Sequence, residues 1–489
     1  MHFPLETPLS GRPSRRAVLI TAATCESRLL LKDTGWWVAL ALMAACVAYA
    51  GHNGRVRLQE RGRIVAQAIQ DESRRIDALT KLLDKIERHE APRPDAPYRD
   101  PGNAIYVGRG QGAAVAYLPD APLAAAAIGM SDLYPQVLKV SVGGKDSFLF
   151  VDEIENPAHL LGGGFDLAFV IVSILPLLVL GTCHDVLSGE RERGTLALIL
   201  SSSAPLATVL TGKLLVRAGG LAAMATIASC LFLPIRWESA AFAMSGLVAT
   251  IMLTSAFWAA LCLFVNAAGR DSAFNAVALL MIWVVLLVVG PAALNAIAQV
   301  LFPAPSRAEL VIAVREAAVD AERDRDATDA RYRAEHPETA DKPGDDRTAR
   351  TLAVTVAADA RADAILNDQD GLVRRQRELS DRLAYLMPAC LLQDALAELA
   401  GNGQTRWDDY LSRVATFHAA FRHFFVAKAN ARESLTTADY GRFPRFDPKV
   451  ESEAALRASL GRVVQSLSAV ALVTLALSLA AVRRLSRSA

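Results

Sequence analysis

Six separate apolar runs, each close to the length of a bilayer-spanning helix, constrain the fold of this 489-residue chain more than any other feature. A helix needs roughly 17–25 apolar residues to cross the hydrocarbon layer. The run at 35–51 is shorter and begins with Trp36 and Trp37, aromatics that favour the membrane surface. The other runs are 165–180, 214–233, 240–265, 273–290 and 463–482. We therefore expect an all-α polytopic membrane protein with six transmembrane helices.

Basic residues predict the orientation of these helices. Short cytoplasmic flanks carry an excess of Lys and Arg. Such residues cluster before the first run, between the second and third, and after the last: Arg12, Arg15, Arg16, Arg28, Lys32, Arg191, Arg193, Lys213, Arg483, Arg484 and Arg487. The 234–239 connection has only Arg236. Both termini and the loop 183–213 are therefore expected on the cytoplasmic side of a plasma (inner) membrane. The formal net charge of +1 gives no electrostatic reason to expect nucleic acid.

These expectations divide the chain into seven parts. They are a cytoplasmic tail with an interfacial helix (1–33), the first transmembrane helix (34–51), a first extracytoplasmic segment (52–164), helices two to five (165–300) with the cytoplasmic loop 183–213, a second extracytoplasmic segment (301–461), the sixth helix (462–482) and a cytoplasmic tail (483–489). Basic residues mixed with apolar ones over 15–32 favour a helix at the membrane surface, with a frayed tail as the alternative. No small-residue cleavage site ends the first apolar run, so we expect this run to stay in the mature protein and not to be removed as a signal peptide.

The two long segments are expected to form a mainly helical extracytoplasmic domain. Apolar residues at helical spacing predict one long helix over 54–90, and short apolar runs with glycine over 103–142 predict small strands or irregular structure. The helix predicted over 347–386 also has an apolar stripe, and we expect it to pack against the 54–90 helix or against its own neighbours. An aromatic stripe over 407–425 indicates a core or a membrane contact in preference to a ligand site.

A motif follows the second run. It reads Asp185-Val-Leu-Ser-Gly-Glu190-Arg-Glu-Arg-Gly194-Thr195-Leu-Ala-Leu-Ile-Leu-Ser-Ser-Ser-Ala-Pro205, then Leu210-Thr-Gly-Lys213-Leu214. Carboxylates near a helix start are stabilised by exposed backbone N–H groups, and a glycine allows close approach to another surface. The apolar face that follows could sit in a groove on a soluble partner and transmit its movement. The alternative is a solvated loop that only joins two spans.

This segment resembles the cytoplasmic loop of the ABC-2 family of transport permeases, in which an acidic stretch, a Gly-Thr pair, an apolar helix, a proline and a Gly-Lys pair occur in this order. The long insertions after the first and fifth spans are similar to those of a subgroup of that family. The resemblance implies a permease that works with a separate ABC ATPase subunit and a second permease subunit, identical or related, and it favours export. It assigns ATPase coupling to Glu190, Glu192, Arg193, Gly194, Thr195, Pro205 and Lys213.

Other motifs point away from enzymatic activity. Leu187-Ser-Gly-Glu-Arg191 looks like a signature of ABC ATPases, but the sequence has no G-x-x-x-x-G-K-[ST] phosphate loop. His418 and His423 are five residues apart, Cys183-His184 has no second pair at ligand spacing, and six scattered cysteines suggest no disulfide. We expect no catalytic residues, no metal and no cofactor, and we expect Arg217 to extend to the cytoplasmic surface. The alternative function is a membrane-anchored sensor or assembly scaffold acting through its extracytoplasmic helices.

Overall fold

The computed structural model describes residues 14–132, 135–143, 164–202, 204–268, 270–335, 346–384, 387–448 and 453–488. The described chain is mostly helical. Five of its helices are long and apolar enough to cross a membrane: Thr34–Glu87, Leu167–Glu192, Leu206–Phe232, Ala240–Asn266 and Ser272–Leu301. A shorter apolar stretch, Ser468–Ala480, lies within the last helix. These lengths confirm the prediction of a multi-pass membrane protein.

Helix α1 (Arg15–Leu30) and helix α2 (Thr34–Glu87) begin the described chain. Asp33 caps α2 by accepting a hydrogen bond from the Gly35 backbone N–H at 2.9 Å. The 54-residue α2 continues without a break past the predicted membrane boundary at residue 51. The sequence contains no proline between Thr34 and Ala91, so nothing interrupts the helix until the Pro92 region. The predicted first span and the predicted outer helix that follows it are therefore one continuous helix.

Fourteen further helices follow in the described ranges. They are α3 (Ala104–Arg109), α4 (Leu167–Phe169, the π-helical turn Val170–Ile174, and Leu175–Cys183), α5 (Ser188–Glu192), α6 (Leu196–Ser201), α7 (Leu206–Phe232), α8 (Trp237–Asn266), α9 (Ser272–Val284, the π-helical turn Val285–Val289, and Gly290–Leu301), α10 (Arg307–Arg323), α11 (Arg325–Glu335), α12 (Asp346–Ala384), α13 (Pro388–Leu399), α14 (Gln404–Ala431), α15 (Thr437–Tyr440) and α16 (Glu453–Ser488). Helix α16 covers the predicted sixth span and runs on through most of the predicted tail 483–489.

The apolar core of the bundle joins the span helices. Helix α8 packs against α16 and α4, and α7 packs against α1, α2 and α8. Fully buried side chains of this core include Met43, Ile171, Leu221 and Trp258. Helix α13, from the second predicted outer segment, adds Leu392 and Leu396 to the same core. This outer segment therefore rests directly on the ends of the span helices.

A second core lies among residues of the two predicted outer segments. Strands β1 (Ala114–Tyr117) and β2 (Val137–Val140) pair antiparallel, with Ala114 opposite Val140, where the sequence predicted small strands or irregular structure. Their buried side chains meet Leu79 and Leu83 of α2 and the aromatic face of α14. Tyr410, Phe421 and Phe425 are completely buried there, so the core interpretation of the aromatic stripe is confirmed. Burial also raises the pKa of the Tyr410 hydroxyl, which donates to the Ala116 carbonyl at 3.1 Å.

The predicted packing of the 54–90 helix against the 347–386 helix is wrong. Helix α12 lies against α10 and α11, where Tyr332, Leu352 and Ala353 form a small core. Ion pairs across this contact join Arg361 to Asp324 at 3.0 Å and Arg350 to Asp329 at 3.7 Å. The expectation that α12 packs on its own neighbours is thereby confirmed. The apolar stripe of α2 instead packs against β1, β2 and α15, in the same core as the aromatic side chains of α14.

Leu83→Ala is expected to destabilise the outer domain by about 2–4 kcal/mol, since removing a fully buried leucine leaves a cavity. Leu83 is 1% exposed, whereas the adjacent Leu82 is 36% exposed on the same helix. Leu82→Ala is therefore a matched control, expected to cost less than about 1 kcal/mol. Thermal unfolding of the purified chain in detergent, followed by near-UV circular dichroism, measures both. Equal stability of the two variants would contradict the assignment of this core.

Candidate functional site

The predicted motif lies at one end of the helix bundle, on a group of buried and half-buried charges that we call the ionic cluster. It consists of three carboxylates and three basic side chains: Glu26, Asp185, Glu190, Arg193, Lys213 and Arg217. They come from α1, the end of α4, α5 and its C-terminal flank, and the beginning of α7. The cluster therefore ties the N-terminal helix and the loop after the second span to the third span.

Lys213 and Glu190 form the central pair of the ionic cluster. The Lys213 Nζ lies 2.6 Å from the Glu190 carboxylate and 3.6 Å from that of Glu26. Arg193 donates to Glu190 at 3.1 Å, and the Thr195 hydroxyl donates to both the Glu190 carbonyl and carboxylate. Glu190 and Lys213 are buried, and a buried charge is stable only when it is paired and hydrogen-bonded. These motif residues thus hold the loop in place.

The Arg217 side chain does not extend to the cytoplasmic surface, as the sequence predicted, but is largely buried. Its guanidinium donates to Glu26 at 2.6 Å, to Asp185 at 2.7 Å and to the Thr182 carbonyl at 2.6 Å. The planar guanidinium can donate to several acceptors at once. Because two carboxylates lie within hydrogen-bond distance, these charge-assisted bonds replace the contacts with water that it would make at the surface. Arg217 is therefore a bridge between α1 and the end of α4.

Asn266 forms a second buried junction at the same end of the bundle. Its Oδ1 accepts hydrogen bonds from the backbone N–H groups of Leu187 and Ser188, both at 3.2 Å. Its Nδ2 donates to the carbonyls of His184 at 2.8 Å and Cys262 at 2.9 Å. A fully buried amide that makes these bonds fixes the relative position of its partners. Asn266 consequently fastens the beginning of the motif to the end of α8.

The exposed part of the motif is helix α6. Leu198 is 71% exposed and Leu200 37% exposed, although both belong to an apolar segment. The segment 190–203, which the motif predicts as one helix, is instead two short helices, α5 and α6, separated at Gly194, and residue 203 lies outside the described residues. Gly194 has a φ of +75°, a left-handed conformation that favours glycine. This backbone requirement explains why the residue is a glycine. Helix α6 changes direction from α5 at this point, and Leu198 and Leu200 are exposed on it.

The remaining motif residues surround α6. Glu192 is exposed and accepts a hydrogen bond from the Ser272 backbone N–H at 2.7 Å, which ties the motif to the beginning of α9. The Arg193 side chain is half-exposed and faces Glu190 and Asp185. Pro205 occupies the N-cap position of α7, and its carbonyl accepts from the Thr208 N–H at 2.9 Å. Direct contacts therefore join Glu190 to Arg193, Thr195 and Lys213, and Glu190 and Lys213 are buried.

The Gly-Lys pair of the motif serves two packing roles. A Cβ atom added at Gly212 would lie 3.1 Å from the Leu19 carbonyl and 2.9 Å from the Ala22 side chain. The glycine thus allows α1 to lie tightly against α7, and the next residue, Lys213, reaches the ionic cluster. The resemblance assigned Lys213 to ATPase coupling, and in the structure its side chain contacts Glu190 of α5 and Glu26 of α1.

Sequence reasoning missed Glu26 and Asn266. A signal for the first was present, since Glu26 is the only acidic residue between Arg15 and Lys32 in a stretch expected at a membrane surface. A carboxylate there requires a cation, and Arg217 and Lys213 were available in the next cytoplasmic flank. Nothing comparable marked Asn266. His418, discounted as a metal ligand, is buried and within 3.0 Å of the Gly143 carbonyl, which confirms a core histidine.

The fold and this site define a mostly helical, multi-pass membrane protein with a buried ionic cluster beneath one exposed apolar helix. Residues 307–449 match the family described as Domain of unknown function (DUF3526). The match covers α10 to α15, which belong to the second predicted outer segment. No curated protein matches the chain.

Proposed function

We propose that this chain is the permease subunit of an ATP-binding-cassette transporter of the ABC-2 type, most consistent with export, driven by a separate ATPase subunit that docks on the loop 183–213. The observation that carries the proposal is the exposed apolar helix α6 on the buried ionic cluster. An exposed apolar patch with polar residues around it is typical of an interaction site. The sequence resemblance assigns the same segment to ATPase coupling.

The contacts of the motif suggest how a docked ATPase would move the spans. A movement of α6 passes to α5, which is held through Glu190 to Lys213 of α7 and through Ser188 to Asn266 of α8. Glu192 adds a contact with the first residue of α9. Charge-assisted and fully buried hydrogen bonds resist separation, so the loop acts as a rigid connection. Displacement of α6 would therefore move α7, α8 and α9 together.

The proposal includes six spans, with α16 as the sixth, and two cytoplasmic termini in the plasma (inner) membrane. The 234–236 turn supports this topology because the Arg236 N–H donates to the Pro122 carbonyl in the first outer segment at 3.3 Å. Asn402 of the second outer segment likewise donates to the Ala127 carbonyl at 2.6 Å. Both outer segments therefore meet at the end of the bundle opposite α6. A second permease subunit, identical or related, completes the proposed complex within the lipid bilayer.

Single cysteines test this topology. In a variant with all six native cysteines replaced by alanine, Asp95→Cys and Glu316→Cys are expected to react with an impermeant maleimide in intact spheroplasts. Both positions are exposed and belong to the two outer segments. Leu198→Cys is expected to react only after lysis. Labelling of Glu316→Cys only after lysis, or of Leu198→Cys before it, would contradict the proposed orientation.

Site-specific photo-crosslinking tests the docking function. A benzophenone amino acid at position 198 is expected to crosslink to a soluble subunit whose peptides include a G-x-x-x-x-G-K-[ST] phosphate loop. The same amino acid at Ile312, which is 55% exposed on α10, is the control and is expected to give no such product. Crosslinking from both positions, or from neither in cells that express the ATPase, would count against docking on α6.

A further inference from the structure

A cleft of about 590 Å³ opens beside the motif, where α1, the beginning of α7 and the last part of α16 meet. Its lining includes two arginines, Arg15 and Arg16, and apolar side chains from all three helices, among them Leu19, Leu206, Leu479 and Val482. The cleft thus combines positive charge with an apolar wall. The ionic cluster, the Asn266 junction and the exposed face of α6 do not account for it.

The charge in this cleft lacks a protein counterion. Arg15 and Arg16 are both exposed, and within the described part of the chain neither forms an ion pair. They occupy the first turn of α1, which contains no acidic residue. The N-terminal end of a helix is itself positive, so two cations there are unfavourable unless an anion joins them. This arrangement favours a negatively charged ligand.

Backbone groups in the cleft favour the same ligand. Helix α7 also begins here, and Pro205 at its N-cap has no side-chain hydrogen bond to the first turn. The N–H groups of Leu206 and Ala207 in that first turn have no helical acceptor. Together with the arginines, they present several donors to one anion. Phosphate oxygens are suitable acceptors for both kinds of donor.

The apolar wall distinguishes a lipid from a soluble anion. Leu19 and Leu479 are half-buried in the cleft, and α1 and α16 adjoin the apolar spans. A phosphate with an attached acyl chain would satisfy the basic rim and cover the leucines at once. We infer that this cleft binds an anionic phospholipid, its phosphate between Arg15, Arg16 and the start of α7, and its acyl chain along Leu19 and Leu479. Basic pockets next to transmembrane helices commonly take such headgroups.

A lipid in this position would touch α1, α7 and α16 at once, although α7 already packs against both of the other helices. Leu200 of α6 also lines the cleft, so an occupied site would support the exposed helix from its side. Lipid binding would therefore link the composition of the inner leaflet to the stability of the motif. This inference does not depend on the ATPase, since the site is formed by this chain alone.

The test measures binding of phosphatidylglycerol to the purified full-length chain in detergent by native mass spectrometry and by the shift in melting temperature. Phosphatidylcholine with the same acyl chains and inorganic phosphate are the comparison ligands. The double variant R15A/R16A is expected to weaken phosphatidylglycerol binding about 25-fold, at about five-fold for each basic residue. The double variant R28A/K32A removes the same charge about 20 Å further along the N-terminal region and is expected to change binding by less than about three-fold.

A third variant, Thr211→Trp, fills the cleft without removing charge, and it is expected to abolish selective binding. Three results would overturn the inference: wild-type affinity in R15A/R16A, an equal loss in both double variants, or equal stabilisation by inorganic phosphate. The second result would indicate diffuse attraction to a basic surface, and the third a site for a soluble anion. If R15A/R16A were unstable without lipid, wild-type affinity in Thr211→Trp would by itself overturn the inference.

Discussion

Arg217→Ala is expected to lower the free energy of unfolding by about 3–5 kcal/mol, because it leaves the buried Glu26 carboxylate and the half-buried Asp185 carboxylate without their common partner. Arg217 lies 2.6 Å from Glu26 and 2.7 Å from Asp185, and the Glu26 side chain is only 2% exposed. Lys213 is 3.6 Å from Glu26 and already paired with Glu190, so it cannot replace the guanidinium at both acids. We expect little folded, monodisperse protein and a large fall in melting temperature.

Two further variants separate the buried pairing from a general loss of positive charge. Arg191→Ala removes a basic residue that is exposed at the same end of the bundle, and it is expected to be neutral within about 0.5 kcal/mol. Arg217→Lys retains the charge but offers a single nitrogen, so its stability should fall between those of Arg217→Ala and the wild type. A wild-type melting temperature in Arg217→Ala would show that the ionic cluster contributes little to folding.

Leu198→Asp is expected to weaken association with the ATPase about 30-fold or more, as expected when an apolar anchor at the centre of an interface is replaced by a charge. The stability of the chain itself should hardly change, since Leu198 is 71% exposed and contributes little to either core. The measurement compares the ATPase retained on the purified variant with that retained on the wild type. Ile312→Asp, at a position 55% exposed on α10, is the control and should retain the ATPase fully.

Gly194 is less suitable for this experiment than Leu198. Its φ of +75° strains any other residue, so Gly194→Trp would distort the turn between α5 and α6 whether or not an ATPase docks there. Glu192→Arg would also remove the hydrogen bond from the Ser272 N–H at 2.7 Å. Full ATPase retention by Leu198→Asp would contradict docking on α6 without these structural side effects.

The span helices could be predicted from sequence because hydrophobic length is a local property. Every predicted run coincides with apolar helix, and the caps provided by Asp33 and Asp271 mark two of the helix beginnings. The uninterrupted helix α2 was missed, since composition changes from apolar to charged near residue 52 while helix propensity does not. The sequence shows where a helix changes from apolar to charged composition, but this change does not end the helix.

The packing of the outer helices was predictable only in part. The stripe on α2 that contains Leu79 and Leu83 correctly indicated a buried face, but its neighbours are β1 and β2, in a core shared with α14. Several amphipathic helices offered compatible faces, and spacing alone cannot choose between them. The aromatic side chains of α14 and the small strands that cover them decide the arrangement. Such a choice depends on a core that gathers residues more than 300 positions apart, such as Leu83 and Tyr410.

The candidate site was located from sequence, but the roles within it were not. The motif brought together Glu190, Gly194 and Lys213, and the structure places them close to one another. Sequence could not show that Glu190 faces Lys213 inside the protein, because these residues are 23 positions apart across an irregular loop. The partner of Arg217, Glu26, is 191 positions away. The exposed leucines of α6 are the residues for which we propose the partner-facing role that the motif predicted.

Purification of the wild-type chain from membranes that also contain its ATPase tests the central claim most directly. The account predicts a stable complex of permease and ATPase subunits that hydrolyses ATP in reconstituted membranes, while the purified chain alone hydrolyses none. It also predicts that both association and hydrolysis disappear in Leu198→Asp and persist in Ile312→Asp. A folded chain that purifies without any ATPase and stimulates no hydrolysis would contradict the permease assignment and favour a membrane-anchored sensor or scaffold.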